Sequence, residues 1–379
     1  NFIVVTGDVS SSLHMWNVNT LSCLTIIDGM GWDGIQHITF SPVTGDKFAT
    51  VSRDNDHTIG IYDTNSGSLL SSGKSISRPN DIFDVAFNTD TSEIAVVGRK
   101  IVKFYKNIHL NRRTLEAVTG KVGNTGTRQV FVSVTYMNKD ESVVGCASGE
   151  LYKFKNFKCI QMVQAHGVRE PVFCLHFNLQ DNTLVSGGAD FTVRTWDTTL
   201  KGIGDTLDLS ENTSGNSSKS QNLSITSVHV MNGRMVLATR GSDVFEVTMP
   251  APGSSKASGT NYIVQRVTSG HCRGQMGSIA IHPLRPEFAT TGDDKTVRVW
   301  SIRSLQQTNM RSLPCRCHAS AFDNNQGDIL CLGMEDGSVA MMESRRLLVY
   351  STWTHSKERI TCVKFSADNN YLVVGSADN

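Results

Sequence analysis

At 379 residues the chain exceeds the usual span of a single domain, which leaves one very large all-β unit or two smaller ones. Its 36 basic and 35 acidic residues nearly cancel, so the charge footprint of a nucleic-acid binder is missing and no partner is expected to be recognised by bulk charge. The nine cysteines are scattered, several inside apolar runs as small buried hydrophobes in a reducing compartment are; Cys315 and Cys317 have no second pair at zinc spacing, and no apolar run reaches the roughly 18 residues of a membrane span.

In chain order the text is a succession of short alternating apolar runs separated by Gly, Asn and Asp, without a long amphipathic helix. "VTGDVSSSLHMWNV" comes first, a strand, a glycine turn and an alternating strand ending in tryptophan. "GMGWDG" (Gly29 to Gly34) then matches a dinucleotide loop letter by letter, but "IQHITFSP" after it reads as a strand, where the fingerprint needs a helix. The hairpin grammar returns in "VSRDNDHTIGIYDT", "VVGRKIVKFYKN", "GCASGELYKFKN", "VSGGADFTVRTWDT", "ATRGSDVFEVTM", "TTGDDKTVRVWSI" and "LGMEDGSVAMMES". A strand and turn precede each of these, as in "IFDVAFNT", "VFCLHFNLQD" and "HASAFDNN", and a looser strand follows. Each unit is thus a small antiparallel sheet that cannot bury both faces alone, which is the logic of a β-propeller blade.

The two clearest copies share a spacing. His166 and His271 precede Trp196 and Trp300 by about thirty positions; Asp190 and Asp294 stand six before the tryptophan, and Ser186 and Thr290 four before the aspartate. A histidine, a hydroxyl, an aspartate and an indole N–H in one blade are expected to form a buried polar relay that satisfies every donor. Asp293 is then an extra carboxylate on an exposed turn, capping its own backbone, and neither histidine is expected to be catalytic. No catalytic, cofactor-binding or metal-binding residue is assigned.

These phrases resemble the WD40 repeat, with "Thr195-Trp196-Asp197" in its complete form, and the fold expected is an all-β WD40-type β-propeller. The order of degenerate blades, from "DIFDVAFNTDTSEIAVVGRKIVKFYKN" through "GRMVLATRGSDVFEVTM" to "SGHCRGQMGSIAIHPLRPEFATTGDDKTVRVWSI", resembles the tandem atypical propeller of the echinoderm microtubule-associated-protein-like (EML) family, most of all its long members that repeat the tandem unit. The chain also begins with the strand type on which it ends, so it reads as a segment of two tandem propellers cut from a longer protein. Residues 1–249 are expected to form most of the first, with a partial first blade; "PAPGSSKASGTN", 250–261, is a linker or a long loop; 262–379 open the second. "SENTSGNSSKSQN" (Ser210 to Asn222) reads as a polar surface loop whose three sequons, at Asn212, Asn216 and Asn222, lie among phosphorylatable serines.

The resemblance implies a non-enzymatic microtubule-associated scaffold in the cytoplasm, on the cytoskeleton or in a ciliary axoneme, with tubulin and other cytoskeletal proteins as partners, no cofactor, and no nucleic acid or membrane. The alternative is a WD40 adaptor in another assembly, a ubiquitin ligase or a transport complex. A basic region over adjacent blades, Lys100, Lys103, Lys106, Arg112 and Arg113 followed by Lys153, Lys155 and Lys158, is either an ordinary solvated surface or a face for an acidic partner such as tubulin.

Overall fold

The computed structural model describes residues 3–28, 33–75, 81–108, 114–123, 125–212, 223–249, 262–271 and 274–378. They fall into two compact units: one takes in the described parts of Asn1–Thr213 with Leu223–Ala238 and Val247–Val264, the other Thr239–Glu246 and the described parts of Gln265–Asn379. The expected linker, 250–261, lies outside the described residues.

Nearly all regular structure is strand, in sheets whose members pair antiparallel with their sequence neighbours. The first unit opens with a three-stranded sheet, β1 (Ile3–Gly7), β2 (Ser12–Asn17) and β3 (Ser22–Asp28). Four-stranded sheets follow: β4 (Ile35–Phe40), β5 (Lys47–Ser52), β6 (Thr58–Asp63) and β7 (Leu69–Lys74); then β8 (Ile82–Phe87), β9 (Glu93–Gly98), β10 (Ile101–Lys106) and β11 (Glu116–Thr119). Next come β12 (Phe131–Tyr136), β13 (Glu141–Cys146), β14 (Glu150–Lys155) and β15 (Lys158–Gln164), and then β16 (Val172–Asn178), β17 (Thr183–Gly188), β18 (Thr192–Trp196) and β19 (Gly202–Asp208). After a single turn of helix, α1 (Leu209–Asn212), the division between units passes through the sheet β20 (Ile225–Met231), β21 (Arg234–Thr239), β22 (Asp243–Thr248) and β23 (Ile263–Ser269). The second unit continues with β24 (Met276–Ile281), β25 (Glu287–Gly292), β26 (Thr296–Ser301) and β27 (Gln306–Ser312), then β28 (Cys317–Phe322), β29 (Ile329–Met334), β30 (Ser338–Glu343) and β31 (Val349–Thr354), and a pair, β32 (Ile360–Phe365) and β33 (Leu372–Ser376). These sheets are the blades of an all-β, propeller-type fold.

Within the first unit the opening strands β4, β8, β12 and β16 lie side by side, and the core sits between successive sheets. One layer packs Ala49, Val51, Ile59 and Ile61 against Ile82, Val85 and Ile94; the next packs Val97, Val102 and Phe104 against Phe131, Val134 and Val144. Each opening strand shifts register after its first residue, between Ile82 and Asp84, Phe131 and Ser133, and Val172 and Cys174, a repeated bulge that re-aims the following side chain. Those side chains then reach the next sheet: Val134 N–H donates to Asp84 Oδ2 at 2.8 Å, and Ser133 Oγ to the Val172 carbonyl at 2.8 Å. Close approach also explains the glycine one residue before the end of β17. A Cβ on Gly187 would lie 2.6 Å from Ile225 Cγ2 and 2.7 Å from Cys174 Sγ.

Candidate functional site

The hairpin β17–β18 and the segment entering β16 hold the first relay. Trp196 Nε1–H can only donate, and does so to Ser186 Oγ at 2.9 Å; that hydroxyl has its own proton free for His166 Nε2, also 2.9 Å away. His166 Nδ1–H then faces Asp190 Oδ1 at 2.9 Å, so a neutral imidazole completes a chain in which each donor finds an acceptor. Thr192, not singled out from the sequence, adds its hydroxyl to the same carboxylate oxygen at 2.8 Å, and Gly167 N–H reaches the other at 3.2 Å. Burial works to raise the Asp190 carboxyl, but the hydrogen bonds from His166, Thr192 and Gly167 prevail and hold it well below the usual carboxylate range.

The second relay repeats this on β25 and β26. Trp300 Nε1 donates to Thr290 Oγ1 at 2.7 Å, Thr290 lies 2.8 Å from His271 Nε2, and His271 Nδ1 lies 2.9 Å from Asp294 Oδ1. Here Thr296 takes the place of Thr192, and Arg298 adds a buried ion pair to Asp294 at 3.3 Å while donating to Ser269 and Gln307. The repeated "TVR" before each tryptophan was the sequence signal for these further members. Asp293 departs from the expectation of an exposed turn residue capping its own backbone: it is half-buried, and its Oδ2 accepts the N–H of the distant Gln275 at 3.0 Å.

Weaker blades keep fragments of the pattern. Trp16 Nε1 donates to Thr6 Oγ1 at 2.9 Å without a histidine. In the next blade Tyr62 replaces the indole, and the Thr50 hydroxyl is buried without a hydrogen-bond partner among the described residues.

The basic residues divide. Lys153 is buried, donates to the Thr198 carbonyl at 2.9 Å and lies 3.1 Å from Glu141 Oε2, while Lys155 lies 3.0 Å from Glu141 Oε1. Burial leads the pull on Glu141, yet Lys155, Lys153 and Asn138 outweigh it and hold its carboxyl low. Lys103 donates to the Ser75 carbonyl, and burial lowers its ammonium pKa. Lys106 lies 4.0 Å over the Phe157 ring; Lys100 and Lys158 are exposed. Arg112 and Arg113 lie outside the described residues, as do Asn216, Asn222 and residues 29–32 of "GMGWDG"; Gly34 leads directly into β4.

A cavity of about 330 Å³ in the first unit is lined by the opening strands, with Asp84, Thr135, Tyr136, His176 and His229 on its wall. Burial pushes Asp84 up to about 7 despite two backbone N–H donors. Burial, then His229 with its ring 4.2 Å away, pulls His176 down to about 4.

With blades and relays in view, the WD domain, G-beta repeat model matches residues 157–197, 263–301 and 347–379. The chain carries WD40 repeats. Its curated homologues are EML proteins and a ciliary WD repeat protein. It is 26% identical to "Echinoderm microtubule-associated protein-like 2" of Mus musculus over 376 residues, covering 97% of this chain and 53% of that protein. The human "Echinoderm microtubule-associated protein-like 1" is 23% identical over 381 residues, covering 97% and 42%. The "Ciliary WD repeat-containing protein ctxp80" of Euplotoides octocarinatus is 22% identical over 353 residues, covering 87% and 45%. This WD40 chain thus spans about half the length of the curated relatives it matches. Among solved structures, the computationally designed protein Ika8 aligns at a TM-score of 0.45 with 16% identity, over 100% of this chain and 91% of that one.

Proposed function

We propose that this WD40 chain is part of a non-enzymatic, microtubule-associated scaffold protein, located on the cytoskeleton and in ciliary axonemes, and that it works by presenting blade surfaces to tubulin or other axonemal proteins. The observation that carries the reading is alignment to EML proteins along 97% of the chain, through degenerate and regular blades alike. Histidines and aspartates engaged in closed relays suit it, because such groups stabilise blades rather than turn over a substrate. In this reading residues 1–249 belong to one propeller and 262–379 open a second.

Co-sedimentation with microtubules at rising salt tests the proposal. The chain and its full-length parent are expected in the pellet at low salt and progressively in the supernatant as salt screens the contact. Both remaining in the supernatant at low salt overturns it.

A further inference from the structure

We infer that the blade edge built from Lys121, Lys158 and the exposed face of β15 is a docking surface for an extended acidic peptide of a partner protein; it rests on the scaffold reading only in that the partner is a protein.

The chain leaving β11 crosses to the neighbouring sheet, where Lys121 N–H donates to the Phe157 carbonyl at 2.8 Å and Cys159 N–H to the Lys121 carbonyl at 2.9 Å. Lys121 and Lys158 are therefore bridged as parallel neighbours. Both are exposed, and among the described residues neither has an acidic partner within ion-pair distance. Two like charges held side by side by backbone hydrogen bonds repel each other in the isolated protein, and an arriving carboxylate relieves that repulsion. Lys106 differs, since Glu116 stands opposite it across β10 and β11, so the uncompensated charge belongs to the bridged pair.

The corner preceding this pair is strained. Asn156 and Phe157 both adopt positive φ, 48° and 65°, a turn whose second position normally takes glycine. The Phe157 ring is kept there T-shaped against Phe104 at 5.1 Å and beneath the Lys106 ammonium. From Lys158 onward, alternate residues Lys158, Ile160, Met162 and Gln164 face solvent, with Ile160 50% and Met162 41% exposed. Beyond the Lys121 bridge, β15 is the last strand of its sheet among the described residues, which leaves its outer edge without a further paired strand there. Ammonium groups at one end and an apolar stripe along an open edge select an extended segment bearing carboxylates and a few apolar or aromatic side chains.

The probe is a fluorescein-labelled peptide of about ten residues, glutamate with two tyrosines, titrated with the intact chain and followed by anisotropy at ~50 mM salt. Saturable binding is expected, weakened about tenfold or more by K121E/K158E and unchanged by K364E in the second unit. Lys121→Glu alone should raise the melting temperature, by pairing with Lys158, while weakening the peptide, which separates loss of binding from loss of fold. The inference is overturned if the chain does not bind the peptide, if K121E/K158E binds it as the parent does, or if a single-stranded oligonucleotide of equal charge binds more tightly through the same lysines. A chain that co-sediments with microtubules but does not bind the peptide defeats this surface and leaves the scaffold reading standing.

Discussion

Replacing Ser186 by Ala removes one oxygen from a fully buried position, yet that oxygen is the acceptor for Trp196 Nε1–H and the neighbour of His166 Nε2. Both partners are themselves buried, so water does not take the vacated place. With two groups orphaned at about 1–3 kcal/mol each, the variant should be destabilised by about 2–6 kcal/mol. Thr50→Val is the matched control: it also removes a buried hydroxyl on the corresponding strand of another blade, but one with no hydrogen-bond partner among the described residues. Loss of that group should lie within about 1 kcal/mol of neutral, or stabilise. Because two compact units need not unfold together, native-state hydrogen exchange of the β17–β18 and β5–β6 amides is the suitable assay, read blade by blade. Equal losses of protection for the two variants would refute the reasoning, since the relay would then contribute nothing beyond its volume.

Gly187→Ala should destabilise the same region by about 1–3 kcal/mol in a urea titration, because the new methyl meets Ile225 and Cys174 inside contact distance; a silent substitution would mean that the two sheets are less tightly apposed. Asp84, with its pKa raised from 3.8 to about 7, binds a proton more tightly folded than unfolded. Its stabilising contribution is therefore complete below the unfolded pKa and lost as pH rises towards and through about 7, and Asp84→Asn should flatten that part of a melting-temperature profile. Asp243 is buried with neither carboxylate oxygen bonded among the described residues, on a strand start where the relay blades place Thr192 and Thr296. Asp243→Thr is expected to raise stability by about 1–3 kcal/mol, and a lower melting temperature would show that the carboxylate is compensated.

The blade pattern was legible in the sequence because a hairpin is a local object. Strand alternation, the turn residues and the spacing from Ser186 to Asp190 to Trp196 all lie within a dozen positions, and repetition makes a weak copy such as "LGMEDGSVAMMES" readable beside a strong one. The relay extends that reach by about thirty positions to His166, across the opening strand of the blade, and the second copy keeps nearly the same distance from His271 to Trp300. Thr192, Thr296 and Arg298 were visible as a repeated tripeptide, but nothing in the tripeptide says that its hydroxyl turns toward the aspartate.

The fate of the lysines was decided only by tertiary structure. Lys103 and Lys158 look alike in sequence, both on strand-like text rich in lysine. One finds the Ser75 carbonyl of the preceding sheet and the other finds Lys121, and neither neighbour is close in the chain. Lys153 likewise disappears under the Thr198 carbonyl and Glu141. Period and turn chemistry act over a few residues, so the sequence by itself determined the blades and their order. The charge that a surface presents depends on which sheets come to lie beside each other, and stacking brings together side chains from segments dozens of positions apart.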